Sequence, residues 1–312
     1  MADTPSTNTS GAGIPSKRDP NAFPLDEKMF KLLREQDLDL VRLYTGIKDH
    51  EEIKAHIINI QKEAYPIMPY QCIRFFSFAA SRIHEVVLNY DYILKLGKER
   101  DDAIFLDVGT CFGTDLRKVV TDGWDAKNAV GTDINPGFWA MGHKLFHTDA
   151  ASFPATFVPG NALADEHLQV FPILPTGSAV GTPRPVLSSL TSLNPLHGHV
   201  SVIYLGNVFH LFSEQEQLRL ARGLAGLLSP EPGSVITGWQ ARAPQKGEKT
   251  MVLGRDGSAI TQFLHSAESW KELWDGGVFE KGTVKVEAEL ANYKTEFAAG
   301  EFYFLRWSVT RA

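Results

Sequence analysis

The stretch Phe105-Leu106-Asp107-Val108-Gly109-Thr110-Cys111-Phe112-Gly113-Thr114-Asp115 decides the fold. A short apolar run from Ala103 ends in an acidic residue, crosses a turn bearing two glycines and enters helix-forming sequence. Charge on one side of the run and glycine on the other suit a buried parallel strand. Gly109 and Gly113 let the backbone approach a ligand where a Cβ would clash. The helix start beyond them presents free N–H groups that favour an anion.

Working outward, the same unit recurs. Asn128 to Asp133 is a second strand, with Pro136 opening a helix that runs to Phe146. Thr156 to Pro159 is a third and Val200 to Leu205 a fourth. Ser213 and Glu216 then have capping-box spacing, and Leu218, Leu220, Leu224 and Leu227 give the following helix its apolar face. Gly233 to Trp239 is a fifth strand. Strands alternating with helices predict a parallel sheet covered on both faces. Thr283 to Tyr293 and Glu301 to Thr310 instead alternate residue by residue, with a connector holding Gly300, which predicts an antiparallel pair at the sheet edge. Residues 25–100 show helical spacing and few strand signals, so they read as a helical cap. Within it, Met68 to Val87 is dense in apolar and aromatic residues and reads as one helix roofing the site. Residues 1–24, rich in Ser, Thr, Pro, Gly and Asn, read as a disordered lead-in with no secretory signal. The main domain is then 101–312, with a biased insertion at 172–198 carrying a helical turn or two around Val186 to Leu193.

Composition narrows the partners. A net charge of −6 argues against broad nucleic-acid or anionic-membrane binding. The longest apolar run, Val200 to Phe212, is too short to span a bilayer. The 2 cysteines, Cys72 and Cys111, lack metal-ligand spacing, so no metal is expected and a reducing, cytoplasmic setting is. Oligomeric state is open, with a homodimer compatible.

The chemistry gathers at the carboxyl ends of the first four strands, where open α/β sheets bind ligands. Asp107 leads the glycine turn. Asp133, before Ile134, is placed to accept from ribose hydroxyls. Asn161, before Ala162, can meet an adenine edge, and Gly206-Asn207-Val208-Phe209-His210 follows the fourth strand. Singly, the glycines would suit an ordinary turn, Asp133 a helix cap and Asn161 a turn residue. Their joint order is what points to one cofactor. S-adenosylmethionine carries both a carboxylate for the helix start and an ammonium for Asp107. Cys111 reads as a small loop residue rather than a nucleophile.

These residues resemble class I S-adenosylmethionine-dependent methyltransferases. They are most similar to the small fungal methyltransferases of meroterpenoid biosynthesis, such as those of the austinol pathway. The matching segments are Tyr70-Gln71-Cys72-Ile73-Arg74-Phe75-Phe76, the turn from Asp107 to Arg117, the pair Asp133-Ile134 and Phe209-His210-Leu211-Phe212, spread from about Tyr65 to the end. The resemblance implies a Rossmann-like, seven-stranded mixed sheet whose last strand is inserted antiparallel. It also implies cofactor contacts from Asp107, Val108, Gly109, Thr110, Cys111, Phe112, Gly113, Asp133, Ile134, Asn161, Ala162, Gly206 and Asn207, with S-adenosylhomocysteine as product. Two departures stand out. The middle glycine of the usual turn is Cys111, and the adenine position carries Asn161 rather than Asp.

Methyl transfer to a small secondary metabolite, as O-methylation of a phenol or a carboxylic acid, is the expected reaction. A phenol needs a base; a carboxylate needs positioning and a cation. His210, just past the fourth strand, is the base candidate, or else a structural histidine. His143, His147, His197 and His265 have weaker positions. Tyr70, Arg74 and Phe78 of the cap and Trp239, Trp270 and Trp274 are candidates for the acceptor side, though such tryptophans also serve as core. A nicotinamide-dependent oxidoreductase would need G-x-G-x-x-G after the first strand, which is absent. A catalytically inactive scaffold of the same fold is the other alternative.

Overall fold

A computed structural model describes residues 23–252, 259–293 and 302–312. In chain order the helices of the N-terminal part are α1 (Asp39–Thr45), α2 (His50–Ala64), α3 (Gln71–Arg74), α4 (Ile83–Val86) and α5 (Tyr90–Glu99). Then come β1 (Ile104–Val108), α6 (Thr114–Thr121), β2 (Ala129–Asp133), α7 (Pro136–Leu145), β3 (Thr156–Pro159), β4 (Val200–Gly206), α8 (Glu214–Leu227) and β5 (Val235–Ala241). The chain ends with β6 (Gly247–Val252), β7 (Ala259–Leu264), α9 (Ala267–Trp274), β8 (Val284–Tyr293) and β9 (Phe302–Arg311).

Seven strands form one sheet in the order β3-β2-β1-β4-β5-β9-β8. The first five are parallel; β9 runs antiparallel between β5 and β8. This is the Rossmann-like mixed sheet expected from the sequence, hairpin included. The connector with Gly300, and residues 1–22 of the lead-in, lie outside the described residues.

Alternation along β9 explains its place inside the sheet, between β5 and β8. Leu305, Trp307 and Val309 are wholly buried on one face, with Trp307 beside Trp270 and Trp274 at ring distances of 5.0 and 5.8 Å. That face also packs Leu220 and Leu224 of α8. The opposite face joins Phe105, Val202 and Tyr204 to Ile93 and Leu96 of α5. Gly238 in β5 lies where a Cβ would strike the Leu205 carbonyl, so β4 and β5 depend on its absence. Ser213 and Glu216 close the expected capping box on α8.

One expectation of the fold needs correcting. Met68 to Val87 is not one helix: α3 and α4 are single turns, separated by a 3-10 turn at Ser77–Ala79 and a left-handed Phe76 (φ 62°). The cause is external satisfaction of the backbone. Gln61 Nε2 donates to the Ile73 and Arg74 carbonyls, each at 3.0 Å, and Thr114 Oγ1 donates to that of Phe78 at 2.5 Å. The broken path lets Phe76 and Phe78 both be buried. Beyond the expected elements, β6 and β7 form a separate hairpin between β5 and α9 that sequence reading leaves unassigned. The 172–198 insertion carries 3-10 turns at Leu187–Ser189, inside the stretch where a helical turn or two is expected, and at Asn194–Leu196, and its Leu187, Leu193 and Leu196 enter the sheet core. No helix among the described residues is long and apolar enough to cross a membrane.

Trp307→Ala should lower stability by about 3–5 kcal/mol through the cavity it opens, and Ser213→Ala by only about 1 kcal/mol. Chemical denaturation of both variants measures the difference.

Candidate functional site

Because β1 to β4 are parallel neighbours, their carboxyl ends share one edge of the sheet. The β1–α6 turn is its centre. Gly109 (φ 77°) and Gly113 (φ 67°) take left-handed conformations. A Cβ on Gly109 would sit 2.6 Å from Val208 Cγ2, and one on Gly113 2.7 Å from Trp139 Cζ3. Gly109 and Thr110 donate their N–H groups to the Thr132 carbonyl at 2.8 and 3.0 Å. Cys111 is also left-handed (φ 51°). Its N–H donates to Asp133 Oδ2 at 3.0 Å, which anchors a conformation that an L-residue adopts at some cost. The Cys111 thiol meets that of Cys72, and this contact with burial pushes it up.

Asp107 is 2% exposed. Thr110 Oγ1 donates to it at 2.6 Å, and no cation pairs with it among the described residues. Burial, with Asp115 and Asp133 nearby, pushes its carboxyl up to about 8. A buried acid lacking a cation is what an incoming ammonium would complete. Asp133 accepts from the N–H groups of Cys111 and Asn135 (2.9 Å) and is raised by burial. Its neighbour Ile134 is 36% exposed, leaving apolar surface at the rim. Val108 and Phe112, both candidate cofactor residues, turn their side chains into the core, so only their backbone is available.

Asn161 Oδ1 already accepts from Leu163 N–H at 3.0 Å, an Asx turn. Its oxygen is therefore less free for an adenine amine than the sequence suggests. Gly160 before it makes room for the His167 ring, whose Nε2 lies 2.8 Å from Thr132 Oγ1. His167 thus braces the β2 and β3 ends together; no motif spacing announced it.

At the β4 end, Asn207 is left-handed (φ 58°) and donates its N–H to the Trp239 carbonyl at 2.8 Å. A Cβ on Gly206 would sit 2.8 Å from the Tyr204 hydroxyl. His210 lies in the 3-10 turn Phe209–Leu211. The residue is partly open, but its Nδ1 is buried without a hydrogen-bond partner among the described residues, and desolvation lowers the ring to about 4. It is neutral at physiological pH.

A network missed from sequence joins the two sides. Trp239 Nε1 donates to the Tyr204 hydroxyl at 3.1 Å, and that hydroxyl donates to Asp115 Oδ2 at 2.8 Å. Asp115 Oδ1 accepts from Ser81 Oγ (2.7 Å) and the N–H groups of Arg82 (2.9 Å) and Ile83 (3.2 Å). Its only sequence signal was the acidic residue at the helix start.

Among the acceptor-side candidates, Tyr70 reaches the β2 end: its hydroxyl accepts from Asn135 Nδ2 at 3.5 Å, and burial beside Asp133 pushes it up to about 12. Arg74 lies over the rings of Phe23 and Phe75, with Nε buried and unbonded. Phe78 stacks on Phe112 at 4.6 Å. Trp270 and Trp274 are core, not lining. The weaker histidines have structural partners: His143 with Thr148, His147 with His56, His197 with Phe171 and His265 with Ser269.

Comparison with known proteins places this geometry. Residues 26–79 match the family model described as the meroterpenoid methyltransferase N-terminal domain. The chain is 29% identical to the asnovolin E/chermesin D methyltransferase nvfJ of Aspergillus novofumigatus, over 93% of this chain and 92% of that one. It is 28% identical to the O-methyltransferase phiE of a fungal species, over 78% and 71% respectively. With the methyltransferase trt5 of Aspergillus terreus the identity is 25%, over 80% and 79%.

Asp107 gives a pH test. Its folded value lies above that of the unfolded chain, so between about 4 and about 8 the folded state binds the extra proton and stability falls as pH rises. Asp107→Asn should flatten the denaturation free energy over that window, by up to about 1.4 kcal/mol per pH unit.

Proposed function

We propose that this chain, an S-adenosylmethionine-dependent methyltransferase similar to those of fungal meroterpenoid pathways, methylates an oxygen of a small secondary metabolite, and that the oxygen belongs to a carboxylic acid. The carrying observation for the cofactor is Asp107, a buried acid without a cation on a turn that only glycine can make at Gly109. The residues fit the group. Asp107 would hold its ammonium, the α6 start its carboxylate, Asp133 its ribose hydroxyls, and Ile134 with Asn161 and Ala162 its adenine. When bound, the cofactor supplies a methyl group on a positively charged sulfur.

The protein's share is alignment of acceptor oxygen, methyl and sulfur. Gly206 ends β4, Asn207 and His210 follow it, and together they would border the place where the acceptor enters. A histidine held near 4 is a weak match for the proton of a phenol, whose own value is about 10. It suits an acceptor that arrives ionised. Then His210 positions the oxygen through Nδ1, the atom that lacks a partner. Arg74, a cation with no ion-pair partner among the described residues, is the candidate for offsetting the acceptor's charge, with Tyr70 and Trp239 as neighbouring walls.

With acidic metabolites and isotope-labelled methyl donor, the product should be a methyl ester, released by mild alkali; an alkali-stable ether would overturn the carboxylate reading. His210→Ala should cut kcat by about tenfold to a hundredfold through lost alignment of the acceptor oxygen and leave donor affinity nearly unchanged. Unaltered turnover would assign His210 to structure.

A further inference from the structure

Arg117, on α6, is 0% exposed and meets no carboxylate among the described residues. Rings of Phe153, Phe146 and Trp139 surround its guanidinium at 4.3, 4.8 and 5.4 Å. Nη1 donates to the carbonyls of Phe112 (2.8 Å) and Gly113 (3.3 Å), Nη2 donates to Thr148 Oγ1 (3.2 Å) and lies 3.5 Å from His143 Nδ1, and Nε has no partner among the described residues. Ring faces and carbonyl dipoles offset only part of the cost of burying a cation. Both carbonyls belong to the glycine turn. The Phe112 carbonyl is also where Gly142 of α7 makes its closest approach, so the back of the turn is fully packed. The turn therefore lies between two unmatched charges: an acid, Asp107, at its strand end and a cation, Arg117, behind its helix end.

We propose that Arg117 is a positioning residue whose missing counter-ion is the carboxylate of the bound cofactor. It holds the turn by its carbonyls and supplies fixed positive charge across the turn, where the N–H groups of the α6 start face the ligand. With Asp107 it makes the turn complementary to a zwitterion, the amino-acid end of S-adenosylmethionine. This rests on the cofactor reading above. A residue that only supported the turn would need no charge, and a neutral donor would serve the Phe112 carbonyl equally well.

The test compares two ligands by calorimetry: S-adenosylhomocysteine, which carries the amino-acid end, and methylthioadenosine, which lacks it. Arg117→Gln keeps a donor for Phe112 and removes the charge. It should weaken S-adenosylhomocysteine by at least about tenfold while methylthioadenosine stays within about twofold. Arg117→Lys restores the charge and should return the ratio of the two affinities close to that of the unmodified protein. Equal losses for both ligands in Arg117→Gln, or no loss for either, would overturn the proposal. Should Arg117→Gln fail to fold, Arg117→Met takes its place, with the same selective loss of S-adenosylhomocysteine expected and equal losses or none overturning the proposal. An unmodified protein that binds neither ligand would instead sink the cofactor reading.

Discussion

The carboxylate of Asp115 is the joint on which the site turns. It sits in the first turn of α6 and accepts hydrogen bonds from a cap hydroxyl, two cap N–H groups and a hydroxyl of the sheet. Buried acids are expensive unless so bonded. Here the cost is met by binding α4, α6 and β4 into one unit. The start of α6 is thereby fixed against both the cap and the sheet, and its N–H groups keep their aim without spending any on the chain's own side chains. Cap attachment is reinforced further out, where Asp37 takes two bonds from Arg82 (2.7 and 2.8 Å) and is also held by the backbone N–H (2.9 Å), Nε (3.1 and 3.2 Å) and Nη2 (2.6 Å) of Arg34.

The sheet was legible in the sequence because its signals are local. Buried parallel strands read as short apolar runs, and Leu305, Trp307 and Val309 alternate strictly enough to give away the antiparallel return. The glycine turn was legible because only glycine tolerates its backbone at Gly109. The rest depended on contacts between distant residues. Nothing near Phe76 announces that Gln61 and Thr114 will take over carbonyl bonding and break the expected helix. The insertion reads as carrying a helical turn or two around Val186 to Leu193, but nothing in its composition announces that a few leucines spaced across it will seal the core beside α8.

Site residues divide in the same way. Asp107 and Asp133 stand at strand ends as their order implied, and what the structure adds is that neither has an ion-pair partner among the described residues. For His210 the position was readable but its environment was not: the ring's low value comes from burial alone. Trp270 and Trp274, chosen for their aromatic surface, belong to the stack around Trp307, because helical periodicity does not say which apolar face meets a ligand and which meets a sheet.

The ring stack of Phe78, Phe112 and Phe138 crosses the boundary between the cap, the glycine turn and α7, with neighbouring centroids 4.6 and 5.8 Å apart. Three segments distant in the chain share one slab of packing there. The cap is consequently not an exchangeable module. A chimera that grafted a relative's first eighty residues onto this sheet would inherit a foreign ring above Phe112. Any shift it forced would pass into the turn itself, so drift in the cap and drift in the turn are constrained to occur together.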